Sequence, residues 1–247
     1  MDLILSDLHA NLHAFRAVLR FACRRAIRRF VILGDLVGYG AHPNQLLDKL
    51  QTLGPRYSIR GNHDRICAGM EEPGPGYNLP ARLSAQWTRE RLRQDHRYFL
   101  INLPEGPRWV DGDYQIAHGS PADEDAYLLR TQDAAPAFDA FEGQLCFFGH
   151  THLPGFFELD ERAHQLNWRT VEAGSWYGLN PHCRYLVNPG SVGQPRDKDR
   201  RLAFMTFDPE RRRLRLHRLE YDWEGAAHAI LEAGLHNNSA ERLLVGT

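Results

Sequence analysis

Short apolar runs that stop abruptly in polar residues mark the first sixty positions. "LILSD" is one, "FVILGD" is another, and "RYSI" before "RGNHD" is a third. Each predicts a buried strand. Between the first two, Leu12, Phe15, Val18, Leu19 and Ala22 recur at helical spacing. "PNQLLDKLQTL" predicts a second helix, with Pro43 suited to its first turn. Three strand–helix units in succession imply a parallel sheet with right-handed crossovers. From about Leu79 to Leu100 the pattern is helical, after an irregular stretch containing Pro73, Pro75 and Pro80. Strands return with "RWV", "YQIAHG" and "QLCFFGHTH". "GFFELD", "RYLVN", "LAFMTFD" and "RRLRLHRLEY" predict antiparallel hairpins, and a helix near Trp223 to Ala233 closes the pattern. With no internal repeat and no long linker, residues 1–247 are expected to form one α/β domain. Its sheets are expected to be mixed, parallel in the N-terminal half and antiparallel in the C-terminal half.

Five polar clusters follow strand-like runs: "SDLHAN", "GDLVG", "RGNHD", "AHGS" and "FFGHTH". In parallel sheets, sites form beyond the carboxyl ends of strands. The clusters supply Asp7, His9, Asp35, Asn62, His63, His118, His150 and His152. Carboxylate, amide and imidazole are hard-to-borderline ligands, suited to divalent Mn, Fe, Zn or Ni. Asp7 and His9 stand two apart, as do His150 and His152, so in extended backbone each pair leans to one side. The set suits a centre of two metal ions. Asp35, alone between a glycine and an apolar residue, is the natural carboxylate to bridge them.

Each cluster alone is a weak signal, since Gly-Asp is mostly a turn and D-x-H or H-x-H is mostly a polar loop. Together and in this order they resemble the calcineurin-like metallophosphoesterase superfamily. Its signature runs D-x-H, G-D, G-N-H-[DE], His, G-H-x-H, standing here as Asp7–His9, Gly34–Asp35, Gly61–Asp64, His118 and Gly149–His152. The longer forms "SDLHANLHAF", "GDLVGYG" and "NPGSVGQPRD" look like its bacterial and archaeal phosphoesterase, protein-phosphatase-like branch. The resemblance implies a four-layer α/β/β/α sandwich, two mixed β-sheets flanked by helices. It implies that Asp7, His9, Asp35 and His152 hold one ion, and that Asp35, Asn62, His118 and His150 hold the other. It makes His63 an acid beside the centre rather than a ligand. Asp35 and Asn62 then serve catalysis as well as metal binding. Where the Ser/Thr protein phosphatases of the superfamily have G-D-x-V-D-R-G, this chain has "GDLVGYG". Gly38 and Tyr39 replace an Asp that orients the acidic His and an Arg that grips phosphate, which argues against protein phosphatase activity.

The expected activity is metal-dependent hydrolysis of phosphate mono- or diesters of small molecules or nucleotides. Two cations about 3.5–4 Å apart share the attacking water and bind phosphoryl oxygens. Asn11 and Arg196 are candidate substrate contacts, Asn11 competing with a helix-cap role and Arg196 with that of a solvated loop charge. Asp64 is either a partner to the site or a helix-start residue. A nuclease and a non-catalytic protein-binding scaffold of the same fold are the alternatives.

Composition narrows this choice. The net charge of -1 over 247 residues provides no global field to draw nucleic acid or an anionic membrane. The basic run "ERRRLRLHR" alternates Leu214 and Leu216 with Arg213 and Arg215, as in a strand with one solvated face, and "ACRRAIRRF" reads as the polar side of a helix end. Nucleic acid is therefore disfavoured as a partner, and a scaffold is disfavoured because all eight site residues are present. No run approaches the roughly 18 apolar residues of a membrane span. Asp2 and Asp7 interrupt the first apolar stretch, so it does not resemble a leader. Cys23, Cys67, Cys146 and Cys183 are spread without a C-x-x-C pair, as in a reducing compartment. A cytoplasmic protein is expected.

Overall fold

The computed structural model describes residues 1–247. The first third of the chain contains β1 (Asp2–Leu5), α1 (Leu12–Arg24), β2 (Phe30–Ile32), α2 (Pro43–Leu53), β3 (Tyr57–Ser58) and α3 (Asn62–Ala68). The middle contains α4 (Leu79–Arg91), α5 (Gln94–Ile101), β4 (Arg108–Val110), β5 (Tyr114–Ile116), α6 (Thr131–Ala134) and β6 (Leu145–Phe147). Then come β7 (Gly155–Asp160), β8 (Gln165–Thr170), β9 (Trp176–Gly178), β10 (Cys183–Asn188), β11 (Leu202–Asp208) and β12 (Arg213–Leu219). Two helices end the chain, α7 (Trp223–Glu232) and α8 (Asn237–Val245).

The strands form two six-stranded sheets, in the orders β3-β2-β1-β11-β12-β9 and β4-β5-β6-β10-β7-β8. Strand alternation explains how the sheets stack. In β1, Leu3 and Leu5 join α1, α2, α7 and α8 in one core, while Ile4 points the other way. Ile4 meets Met205 and Phe207 of β11 and, from the second sheet, Phe147 and Val187. On the far face of the second sheet, Cys146, Leu186 and Phe157 pack against Ala134, Ala137 and Phe138 near α6. Strands buried on both faces read as continuous apolar runs, which is why "LIL", "FVIL" and "LCFF" stand out in the sequence. The layers run helix, sheet, sheet, helix, as the resemblance implied.

Four details differ from the sequence reading. Parallel pairing is not confined to the N-terminal half, because β5, β6 and β10 run parallel in the second sheet. The helical stretch from Leu79 breaks at Leu92 and Arg93, where the backbone turns extended (ψ 126° and 152°). β8 and β9 had no apolar alternation to show them, since β8 is almost wholly exposed. α7 is followed by another helix, α8, whose Ala240 and Leu243 reach the same core as α1. No helix is long and apolar enough to cross a membrane.

Candidate metal centre

The parallel strands of both sheets aim their carboxyl ends at one place. Asp7 and His9 follow β1, Asp35 follows β2, and Asn62 and His63 follow β3. His118 follows β5, while His150 and His152 follow β6. Their side chains are all buried. The loops that carry them are bent into unusual backbone. Seven of the chain's twelve non-glycine residues with positive φ are Asp7, His9, Ala10, Asp35, Tyr39, His150 and His152. Such conformations cost about 1–3 kcal/mol each and persist where the surrounding structure enforces them. Gly149 allows two of the loops to touch. A Cβ there would stand 3.0 Å from Asp7 Oδ2 and collide with Ser6 Oγ.

The donors gather into two groups, Asp7–His9–His152 and Asp35–His118–His150, each with its donor atoms within 4.8 Å of one another. Backbone carbonyls fix the imidazole tautomers. His9 Nδ1 lies 3.1 Å from Val37 O, His152 Nδ1 2.5 Å from Gln194 O, and His118 Nδ1 2.7 Å from Leu33 O. A carbonyl only accepts, so these nitrogens carry the protons and donate. His150 is reversed: its Nε2 donates to Asp125 O at 3.1 Å, leaving Nδ1 for the group.

A consequence follows for His9 and His152, whose Nε2 atoms are 3.2 Å apart. Burial holds both imidazoles below their usual pKa, so both rings are neutral and two lone pairs face each other. Asp7 Oδ1 is 3.3 Å from His152 Nε2 and has no hydrogen-bond partner of its own. Three acceptors converge there without a donor. A divalent cation fits this arrangement, since two nitrogens bound at about 2.1 Å stand about 3.0–3.4 Å apart for bond angles between octahedral and tetrahedral.

Asp35 lies between the groups, its Oδ2 3.6 Å from His9 Nε2 and its Oδ1 3.5 Å from His118 Nε2. Asn62 Oδ1 comes within 3.0 Å of the same His118 nitrogen. Burial alone would discharge His118, but the Asp35 carboxylate outweighs it and raises the imidazole to about 10. In the metal-free chain a proton therefore occupies the His118 position where a cation would bind, and loading should release it. Burial likewise opposes charge on Asp7, yet the surrounding imidazoles, the protonated His118 among them, keep its carboxyl below the usual range.

His63 belongs to neither group. Its backbone N–H donates to Asp35 Oδ1 at 2.9 Å, and its ring stands 5.1 Å from that of His9 and 4.6 Å from that of Tyr39. Burial pushes its imidazole down to about 4. His63 Nδ1 has no partner. It faces Gly38, where an added Cβ would stand 2.6 Å away. An orienting carboxylate at position 38 is absent in space as well as in sequence.

The remaining candidates separate. Both ends of the Asn11 amide are used inside the fold: Oδ1 caps α1 by accepting from Ala14 N at 3.0 Å, and Nδ2 donates to Gly193 O at 2.9 Å. Asn11 is a cap and not a substrate contact. Asp64 accepts from Gly61 N, Leu36 N and Val37 N at 3.0, 2.8 and 3.2 Å, tying the second and third loops together without touching a donor of the centre. Burial and the nearby Asp35 raise its carboxyl to about 7. Arg196 does line the cleft above the centre, with Asn62, His63 and His150.

That cleft, about 340 Å³, has walls the sequence reading did not identify. Tyr77 accepts a hydrogen bond from the Asn62 amide nitrogen through its hydroxyl, and Tyr127 stacks on His150 with ring centroids 3.9 Å apart. Gly74, Gly76 and Asn78 place part of the irregular proline-marked stretch at its rim, and Arg242 enters from α8. Nothing local in "GPGYN" or "AERLL" marks these positions. Only the fold brings them to the site.

Comparison with known proteins agrees with this geometry. The model of the calcineurin-like phosphoesterase superfamily domain matches residues 1–212. The chain is 32% identical over 254 residues to an uncharacterized protein of Methanocaldococcus jannaschii, covering 100% of this chain and 98% of that one. It is also similar to a metallophosphoesterase from Sphaerobacter thermophilus of known crystal structure, at 38% identity and a TM-score of 0.88, over 100% of this chain and 98% of that one. A hypothetical protein from Pyrococcus horikoshii OT3 shares the fold at 18% identity and a TM-score of 0.78, over 100% and 99% of the two chains.

Proposed function

The chain belongs to the calcineurin-like phosphoesterase superfamily and is a metal-dependent phosphoesterase; from that premise we propose that it uses two divalent cations to hydrolyse phosphate mono- or diesters of small molecules or nucleotides. Asp7, His9, Asp35 and His152 hold one cation, and Asp35, Asn62, His118 and His150 hold the other. When bound, the cations polarise the phosphoryl oxygens and the attacking water. One observation carries the reading: Asp35 directs one oxygen toward each of two buried groups of ligand atoms, in the first of which three acceptors meet without a donor.

The chain's own groups do the rest. The carbonyls of Leu33, Val37, Asp125 and Gln194 fix which imidazole nitrogen is free. Asp35 also accepts from the His63 backbone and so sets the position of that ring. With Nδ1 turned to Gly38, His63 offers Nε2 to the cleft, where it donates a proton to the departing oxygen. Arg196, whose guanidinium has no carboxylate partner, sits beside the same cleft and faces phosphoryl oxygens. We read residues 1–247 as one working unit because α7 and α8 complete the core that holds α1. Four free cysteines support a reducing, cytoplasmic setting.

The test is hydrolysis of p-nitrophenyl phosphate and bis(p-nitrophenyl) phosphate by metal-stripped protein, before and after addition of Mn, Ni, Zn, Fe or Mg. Activity should vanish on stripping and return with Mn or Ni better than with Mg, because imidazole-rich sites suit the later metals. Full activity after stripping rejects the reading.

A further inference from the structure

Arg196 and Arg242 come from different parts of the chain and meet at one wall of the cleft. Arg196 follows β10 on the "NPGSVGQPRD" loop, and Arg242 lies in the last turn of α8, beyond residue 212 where the family match ends. Neither has a carboxylate within ion-pair distance. The one hydrogen bond of Arg196 runs from a terminal nitrogen to Gln194 Oε1 at 3.1 Å, and its buried Nε has no partner. Asp125, the carboxylate on this cleft, is engaged by Arg65 at 2.7 and 2.8 Å. Two half-buried cations thus stand together unneutralised. Burial and the charge of Arg196 both press on Arg242 and lower its guanidinium. A cation in the last turn of a helix gains from the macrodipole, but only about 0.3–1 kcal/mol, and that gain gives no reason to face a second arginine.

Their placement is held by the backbone. Lys198 N donates to Gly246 O at 2.7 Å, tying the Arg196 loop to the end of α8. Leu243, next to Arg242, is in the core. Tyr39 and Tyr127 border the same wall: Tyr127 stacks one face on His150, while Tyr39 packs 4.6–4.8 Å from His63 and His9 and carries the Arg196 guanidinium 5.9 Å over its ring. The wall therefore presents two planar donor forks with no carboxylate to answer them, which suits an anion.

We propose that Arg196 and Arg242, with the hydroxyls of Tyr39 and Tyr127, form a subsite for a second anionic group of the substrate, so that the enzyme prefers phosphoesters carrying a further phosphate over those with one. The proposal rests on the phosphoesterase reading for the position of the first phosphoryl group. It makes α8 a specificity element that the family match does not cover.

The test is calorimetric binding of inorganic phosphate and of pyrophosphate to the metal-loaded protein, with metal content measured in each variant. Chelation by the bound cations is common to all variants, so the differences between variants read the chain's own groups. Wild-type protein should bind pyrophosphate about tenfold or more tightly than phosphate, and Arg242→Ala should lose most of that preference, in line with charge-assisted hydrogen bonds. Arg242→Lys should recover part of it. Tyr127→Phe, which removes one hydroxyl and leaves the packing, should reduce it further than an exposed control such as Arg20→Ala. An unchanged preference in Arg242→Ala overturns the subsite. So does equal weakening of phosphate and pyrophosphate, which would place Arg242 at the first phosphoryl group. A chain that fails the metal-dependence test of hydrolysis but keeps this preference would reject the catalytic reading alone.

Discussion

His63→Ala separates proton donation from metal binding, because the ring belongs to neither donor group. Acid catalysis of this kind typically contributes 10²- to 10⁴-fold. The structure sets where in that range the loss should fall. Burial lowers the His63 imidazole to about 4, outweighing the opposing Asp35 charge, so three units higher, at pH 7, about one ring in 10³ is protonated before substrate binds. No acceptor at Gly38 holds Nδ1–H to offset this. The loss on an alkyl phosphate should therefore lie near the lower end, about 10²-fold in kcat/KM. With p-nitrophenyl phosphate, whose phenolate departs without a proton, it should be several-fold at most. The sign of the pH effect follows as well: the acid form gains about tenfold per unit as pH falls, so the wild-type advantage on the alkyl ester should grow between pH 8 and 6. The assay pairs both substrates with metal content by elemental analysis. Equal losses on the two esters with both ions bound would refute acid catalysis and make His63 a positioning residue. Loss of an ion would make it a ligand.

Two further outcomes are expected. Asp35→Asn keeps the shape but removes the one anion that reaches both groups, and metal affinity should fall by more than the 10- to 100-fold typical of groups that only support a ligand; elemental analysis showing both ions at near-normal affinity would mean the bridge is misassigned. His217, stacked on Phe204 and bonded to Thr206 Oγ1 at 2.9 Å, is lowered by burial to about 4. Between pH 6.5 and 4 the unfolded chain then binds more protons than the folded one, so stability falls as pH falls through that window. His217→Gln should flatten this acid limb in denaturant titrations by about 1–2 kcal/mol after screening of the partly exposed ring; an unchanged wild-type-minus-variant difference across the window would refute it.

The donors were legible because each sits within five residues of a strand end, so a local run of sequence carries both the strand and its chemistry. The helix α2 was legible for a similar reason, with a proline opening it and an apolar face at i, i+3 and i+4 spacing. α3 was hidden by the same density of function. Its seven residues are all buried, and the first three, Asn62, His63 and Asp64, are a proposed metal ligand, the proposed acid and a loop tie. No apolar period was left to see. The parallel run of β5, β6 and β10 was missed because its crossovers carry no long helix. The path from β5 to β6 holds only the four-residue α6 and a short 3-10 turn, and the path from β6 to β10 passes through β7, β8 and β9. Topology there is set by which edge the chain returns to, and hydrophobic period does not encode that.

The same contrast separates the two halves of the site. Residues that bind metal must converge within a few ångströms on a point, so each is placed by the rigid end of a strand and recurs as a short motif. Residues that recognise the rest of a substrate only have to reach a wall, and a loop or a terminal helix can supply them from anywhere in the chain. Tyr77, Tyr127 and Arg242 arrive in this way, from a glycine-rich loop, from the long β5–β6 connection and from α8. The buried centre would be costly to fold without cations, since it gathers strained backbone, facing lone pairs and an unpartnered carboxylate oxygen in one place. The wall carries less of that cost, because its arginines, though pressed by each other's charge, are partly exposed and hydrated until an anion displaces the water. Selection on chemistry therefore fixes the centre within narrow limits, and selection on substrate can act on the wall with little penalty in stability. That asymmetry is the physical reason a sequence of this kind announces its reaction class well before it discloses its substrate.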